Sequence, residues 1–369
     1  MANVKKFSPD TILEELWRLA YFYSDTRQKD KAKRCLEKRF HFLSSCDFDN
    51  LYLPLIDNAD IFLPELLIEL GDFKKLEFIL KKIYDDKRQN YKLPPFEQWK
   101  KQKIEEAKAF IEIYEMVKEE FPQVEVIRNT VNLGYPASHN RAIKRFPLYD
   151  YVIISNEDIV ILDNAIEKLI EFMEKHPEVG VCGPELLNSD GSWQPSCQRY
   201  ITPSRLLIRA LYLDKIFPWI TKTRYGLYYP RLYEPAEVDM VMGSFMVVRS
   251  EALKKTGIFD ERFFIFAEET DLCRRIKLAG WKIMFYPHAK VIHHGGSSTF
   301  RRVSTKMFIE LHKSTIKFIE KYEGKSRSRV AKHILMLHLI LRLLFGWWKP
   351  QRTTWRDVLL WHLGFKRQP

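Results

Sequence analysis

Between Asn129 and about residue 300, short apolar runs alternate with amphipathic stretches of helical period, which confines this part of the chain to an α/β fold. Tyr151–Ser155 reads as a buried strand running straight into the polar triplet Asn156-Glu157-Asp158. Residues 164–175 form a helix with Ile166, Leu169, Ile170 and Met173 inward and Pro177 beyond its end. A strand is expected over 179–182. The stretch 238–248 is strand-like, and Ser250 caps a short helix that stops at Gly257. A further helix over 269–279 ends at Gly280, and residues 281–293 hold at least one more strand.

Upstream the pattern is less regular. Residues 1–48 read as two helices, the first opened by Ser8-Pro9-Asp10, a capping hydroxyl with proline at the first turn. Residues 51–56 fit a strand and 61–70 a helix, while 76–84 fit either. An amphipathic helix over 103–120 precedes a short strand over 124–127. The organisation expected is a helical extension over 1–48, an α/β domain over 49–300 and a helical tail over 301–369.

Charge separates the tail from the body. Residues 301–369 hold 16 Lys and Arg against four acids, so the whole net charge of +12 lies there and residues 1–300 are neutral. A nucleic-acid-binding enzyme more often spreads its basic surface over the body, so no nucleic-acid partner is expected. The amino end lacks the apolar core of a secretory signal. No run reaches the roughly eighteen apolar residues of a spanning helix; the nearest, 333–348, is interrupted by His338, Arg342 and Gly346. Five scattered cysteines, Cys35, Cys46, Cys182, Cys197 and Cys273, form no CxxC pair. They exclude a disulfide scaffold and a zinc ribbon and suit a reducing compartment.

Four constellations can carry chemistry, and each has a plainer reading. Asn156-Glu157-Asp158 lies at the carboxyl end of a strand, where α/β sheets bind ligands; its oxygens suit a hard divalent cation, or simply form a polar turn. Glu268-Glu269-Thr270-Asp271 follows the run Phe263-Phe264-Ile265-Phe266. Apolar surroundings raise a carboxylate toward the working range of a general base, but acids also gather at helix starts to match the dipole. His293-His294, followed by two glycines, is a ligand pair or an ordinary surface pair. Asn132-Leu133-Gly134-Tyr135 with Asn140-Arg141 is a strand-to-helix turn able to present amides to a ligand.

Taken in order, these segments resemble the family 2 glycosyltransferases with the GT-A fold, and within them the rhamnosyltransferase-like branch. NLGYPASHNRAIK (132–144) is similar to the family's asparagine-glycine turn and helix, and SNEDI (155–159) to its metal-binding segment. LNSDGSWQPSCQRYITP (187–203) resembles its acceptor-side loop. The stretch 241–281, VMGSF to LAGW, resembles its longest signature, and YPHAKVIHHGGSS (286–298) its closing histidine segment.

The resemblance implies a Rossmann-like mixed sheet and an inverting, metal-dependent transfer of a sugar from a nucleotide-diphosphate donor, such as a dTDP- or UDP-sugar, to a glycan or lipid-linked acceptor. Carried across, Asp158 and His293 become ligands of Mn2+ or Mg2+, and Glu269 takes the place of the catalytic base. Asn132, Gly134, Asn140 and Asn156 fall on the donor side, and Gly243, Glu268, Asp271 and Arg275 on the acceptor side. The family's two opening donor-binding motifs are not legible; Asp57 and Asp86 stand as their remnants. The alternative is a catalytically degenerate domain serving as a binding or scaffolding subunit. The branch often acts on lipid-linked acceptors, and the apolar run 334–345 with Trp347-Trp348 among many cations reads as a helix lying on an anionic membrane surface. That composition also fits packed helices with a solvated basic face. The expected location is cytoplasmic, peripheral on the inner face of the cell membrane.

Overall fold

The computed structural model describes residues 95–365 except 128, 130, 131, 147, 295–304, 347, 348 and 350, together with Glu77, Leu80, Lys81, Tyr84 and Asp85. The expectations for 1–48, 51–56 and 61–70, and Asp57, Asp86, Trp347 and Trp348, lie outside these residues. The chain divides into two compact units between Asn132 and Leu133. The boundaries expected at 48 and 300 do not coincide with this division.

In the first unit, helix α1 (Phe96–Glu120) starts earlier than its periodicity indicated. Its buried Trp99 and its Phe96 pack on the Tyr84 ring, at centroid distances of 5.5 and 5.2 Å. Residues 124–127 form no strand, which corrects that expectation. Val124 is exposed, and no strand among the described residues pairs with this segment.

The second unit runs through α2 (Gly134–Arg145), β1 (Tyr151–Ser155), β2 (Ile159–Ile161), α3 (Ala165–Lys175), β3 (Val179–Leu187), β4 (Trp193–Gln194) and β5 (Cys197–Gln198). It continues through α4 (Pro203–Ala210), α5 (Leu213–Ile216), β6 (Ala236–Glu237), β7 (Met240–Val241), β8 (Phe245–Arg249) and α6 (Ser250–Thr256). Then follow α7 (Glu268–Leu278), β9 (Lys282–His293), α8 (Thr305–Glu323), α9 (Lys325–Phe345) and α10 (Arg352–His362).

The sheet is mixed, in the order β1-β8-β3-β9-β2, with β4 beside β3 and β6 beside β9. Strands β3 and β9 run parallel and the other pairs antiparallel. Strict alternation along β8 builds two cores. Phe245 and Val247 face α3, with Leu169, Met173 and Val291, whereas Met246 and Val248 face α6 and α7, with Leu253, Leu272 and Ile276. Covered on both faces, β3 is buried from Val179 through Leu186.

The tail is packed rather than appended. Phe318 and Ile319 of α8 and Ala331, Ile334 and Leu335 of α9 share one cluster with Leu206 and Ala210 of α4 and with Phe263 and Ala267 just ahead of α7. Leu339 of α9 is fully buried with Ile309, Trp355 and Val358. Among the described residues no helix is long and apolar enough to cross a membrane.

Candidate active site

The site grows from the carboxyl end of β1. Antiparallel pairing sets Ser155 opposite Phe245, and the Asn156 N–H then donates to the Ser244 carbonyl at 2.8 Å. This brings the 156–158 triplet beside the turn at Gly243-Ser244. A Cβ on Gly243 would stand 3.3 Å from Glu269 Cβ and 3.5 Å from the Tyr135 hydroxyl, so glycine is what admits both side chains to the turn. The Tyr135 hydroxyl donates to the Gly243 carbonyl at 2.7 Å. Gly134 opens α2 with φ +78°, and a Cβ there would collide with the Phe264 carbonyl. That same carbonyl accepts the Tyr135 N–H at 2.9 Å.

Glu268 and Glu269 begin α7 immediately after Phe266 and Ala267, which both have positive φ, 70° and 64°. Two successive non-glycine residues in that region are strained, and strain of this kind persists only where surrounding contacts impose it. Helix α8 supplies them. Ser314 Oγ donates to the Ile265 carbonyl at 2.8 Å and Lys317 Nζ to the Arg262 carbonyl at 2.7 Å. One oxygen of each glutamate, Glu268 Oε2 and Glu269 Oε2, is buried without a hydrogen-bond partner. Burial raises both carboxyls above their ordinary range, and the Glu269 charge raises Glu268 further. Two adjacent carboxyls set against apolar surroundings resist ionising together, so the pair takes up a proton more readily than an ordinary carboxylate. Tyr135 is pushed up by burial and by the charges of Glu269, Glu268 and Glu157.

Asp158 and His293 form a second group. Ile159 pairs with His293 across β2 and β9, and the His294 N–H donates to the Asp158 carbonyl at 2.9 Å. The pairing leaves His293 Nε2 3.4 Å from Asp158 Oδ1, which is buried and has no hydrogen-bond partner. His293 Nδ1 meets Gln194 Oε1 at 2.7 Å, and burial lowers the imidazole pKa, favouring the neutral ring. Among the described residues no three His, Cys, Asp or Glu side chains converge to hold a metal. An unpartnered carboxylate oxygen facing a neutral imidazole fits two protein ligands of a divalent ion whose remaining ligands come from phosphate and water.

Other expected residues are engaged inside the protein. Asn140 donates to the Phe259 carbonyl at 2.8 Å and to Glu261 at 2.9 Å, and accepts the Phe259 N–H at 3.0 Å; these bonds tie α2 to the loop before α7 and leave no atom of it aimed at a donor. Asp271 is fully buried and meets Arg275 at 2.8 Å, Tyr322 at 2.8 Å and Lys321 at 2.5 Å. Arg275 also donates to the carbonyls of Thr256, Gly257 and Ile258. The geometry therefore gives Asn140, Asp271 and Arg275 a positioning part in place of the direct ligand contact expected. Asn132 is the last residue of the first unit. Segment 187–203, expected on the acceptor side, brings Gln194 against His293. Sequence reasoning missed Tyr135, Gln194, Lys321 and Tyr322. The first two stand inside the quoted motifs, whereas nothing local marks the last two.

Residues 105–309 match the glycosyltransferase like family 2. The chain belongs to that family. The mixed sheet with helices on both faces is the GT-A arrangement that family 2 implies. An N-acetylglucosaminyl-diphospho-decaprenol L-rhamnosyltransferase of Mycobacterium tuberculosis is 31% identical over 255 residues, which are 65% of this chain and 74% of that one. The rhamnosyltransferase WbbL of Escherichia coli is 33% identical over 88 residues, 24% of this chain and 33% of that one. The crystal structure of GalNAc-T7 with UDP, GalNAc and Mn2+ aligns with a TM-score of 0.42 and 14% identity over 69% of this chain. The alignment spans 47% of the GalNAc-T7 chain, and a third of the length of the E. coli protein is matched.

Proposed function

We propose that this family 2 protein transfers a hexosyl or rhamnosyl group, with inversion, from a nucleotide-diphosphate donor to a hydroxyl of a glycan or lipid-linked acceptor. The observation that carries the proposal is Glu269, a half-buried residue with one shielded, unpartnered carboxylate oxygen beside the Gly243 turn. As base, Glu269 takes the acceptor hydroxyl proton while that oxygen bonds to the anomeric carbon and the bond to the diphosphate oxygen breaks. Attack from the face opposite the leaving group inverts the anomeric centre. Glu268 shares with Glu269 the raised proton affinity of the pair, and Tyr135 fixes the turn that both groups approach.

Asp158 and His293 would hold a divalent ion, Mn2+ or Mg2+, which when bound supplies positive charge to the departing diphosphate. Asn156 and Gly134, at the neighbouring strand and helix ends, belong to the donor side of the same cleft. The mycobacterial relative, named for its diphospho-decaprenol acceptor and rhamnosyl group, supports a lipid-linked acceptor in cell-wall or polysaccharide assembly, and the family resemblance implies a dTDP- or UDP-sugar donor. A peripheral position on the inner face of the cell membrane follows from such an acceptor and from the +12 tail.

Calorimetric titration of dTDP- and UDP-sugars with and without Mn2+ tests the donor and metal assignments together. Metal-dependent binding is expected for the full chain and should be lost in Asp158→Ala. Equal affinity in the two proteins removes Asp158 from the metal site, and absence of donor binding favours the non-catalytic scaffold.

A further inference from the structure

We propose that segment 188–194 is a hydrogen-bond relay that fixes the tautomer of His293, with Gln194 as the positioning residue that leaves the Nε2 lone pair facing Asp158. This rests on the reading of His293 as a metal ligand.

The direction of every link follows from the far end. Asp190 is accepting only: Ser192 Oγ donates to it at 2.6 Å and the Ser192 N–H at 2.9 Å, and these bonds hold its carboxyl below the ordinary range. With its hydrogen directed to Asp190, the Ser192 hydroxyl can only accept from Asn188 Nδ2, at 2.8 Å. The same nitrogen lies 3.4 Å from the Trp193 carbonyl, a second acceptor that sets the Asn188 amide the same way round. Asn188 Oδ1 therefore accepts from Gln194 Nε2 at 2.9 Å. Gln194 Nε2 also approaches the His293 carbonyl at 3.4 Å, which independently fixes this amide. Its Oε1 is left facing His293 Nδ1 at 2.7 Å, so Nδ1 must carry a hydrogen.

In a neutral imidazole the other nitrogen is then bare. Nε2 faces Asp158 Oδ1 across 3.4 Å, and no hydrogen lies between two acceptors. Were either amide reversed, Nε2–H would simply donate to Asp158 and close the gap. The backbone makes the relay rigid: Leu186 and Leu187 pair with Gln194 and Trp193, and the Asn188 N–H donates to the Ser192 carbonyl at 2.8 Å. The conformation of this turn depends on Gly191, at φ +77°. Outer partners of this kind orient ligating imidazoles, and losing one typically lowers metal affinity about 10–100-fold.

Full-length protein carrying 15N-labelled histidine, free of metal and near neutral pH, gives the direct readout. Long-range imidazole spectra, with the His293 signals assigned by their loss in His293→Asn, should show Nδ1 protonated and Nε2 bare. Gln194→Leu should give a mixed tautomer and lower the affinity for Mn2+ alone, read by electron paramagnetic resonance, about 10–100-fold. Gln194→Glu, which keeps an acceptor at Nδ1, should restore both. An Nε2–H tautomer or an imidazolium in the wild-type protein overturns the proposal, as does unchanged Mn2+ affinity in a Gln194→Leu protein with normal melting. The expected tautomer in a wild-type protein that binds neither Mn2+ nor a nucleotide would support the relay and overturn the metal reading.

Discussion

Glu269 and Asp271 stand two residues apart in the first turn of α7; Asp271 is fully buried, whereas Glu269 is half-buried with its Oε2 shielded from water. Asp271 turns one oxygen toward the tail, where Lys321 and Tyr322 meet it, and the other toward Arg275 of its own helix. Glu269 looks toward the Gly243 turn and keeps one oxygen without any partner. A buried carboxylate whose oxygens are all taken up by donors is a structural group. One left partly bare has a raised pKa and can exchange a proton, at the cost of some stability. The same helix turn thus carries an anchor on one side and a reactive group on the other, and the anchor comes from a segment that sequence alone set apart as a basic appendage.

The sharpest break of this comparison is Glu269→Gln. The amide keeps size and shape but accepts no proton, so transfer should fall by about two to four orders of magnitude. Melting temperature should hold or rise, because an ionisable group with a shielded, unpartnered oxygen is removed. Activity of the wild type should decline as pH falls through the raised Glu269 pKa, since the base is then protonated, and the acid limb should lie above the ordinary carboxylate range. Turnover that survives in Glu269→Gln and disappears in Glu268→Gln would reverse the two assignments.

Asp271→Asn should do the opposite. Removing one member of a buried ion pair typically costs about 3–5 kcal/mol, because its partners stay buried without a counter-charge. Lys321 retains Asp260 at 2.8 Å, so the loss should lie near the lower figure, about 3 kcal/mol. Denaturant unfolding measures it. Donor affinity of the folded fraction should be nearly unchanged, and a variant of normal stability with lost turnover would instead place Asp271 among the reacting groups.

How much of this was legible differs by region for physical reasons. Between Asn129 and His293 the elements were readable because each buries a face with its own period, as in 164–175 and 269–279. The strand expected over 179–182 runs on to Leu187 because pairing with β9 carries it through Gly183-Pro184-Glu185, residues with little strand propensity of their own. The stretch 238–248 breaks into two strands because the turn at Gly243-Ser244 faces the site. Within the motifs, Gly134, Asp158, Glu269 and His293 could be singled out from local chemistry, whereas Gly243 came only with the family resemblance. Lys321 and Tyr322 reach Asp271 across fifty residues of chain, and no local pattern encodes such a contact.

The tail also divides the comparison within itself, and the smallest expected effect lies there. One face of α9 packs inward through Ala331, Ile334, Leu335 and Leu339, so the whole apolar run 334–345 is not available to lipid as the sequence alone indicated. The outward face instead carries Leu337, Ile340, Leu344 and Phe345, the last two 63% and 71% exposed. The proposed peripheral position on an anionic membrane would bring this face and the +12 of the tail against lipid. Replacing Leu344 and Phe345 together by Ser should lower sedimentation with anionic vesicles about tenfold, which is about 1.4 kcal/mol and less than full burial of two such side chains would give. Melting should not change, because neither residue belongs to a core. Binding that remains in the double variant should be removed by salt, since only the screened attraction is left. Leu339→Ser should behave in the reverse way, lowering melting temperature because it empties a packed site beside Trp355 and Val358. If the Leu344 and Phe345 variant binds anionic vesicles as the wild type does while salt releases both completely, lipid contact is electrostatic alone, and the outward face of α9 has no part in it.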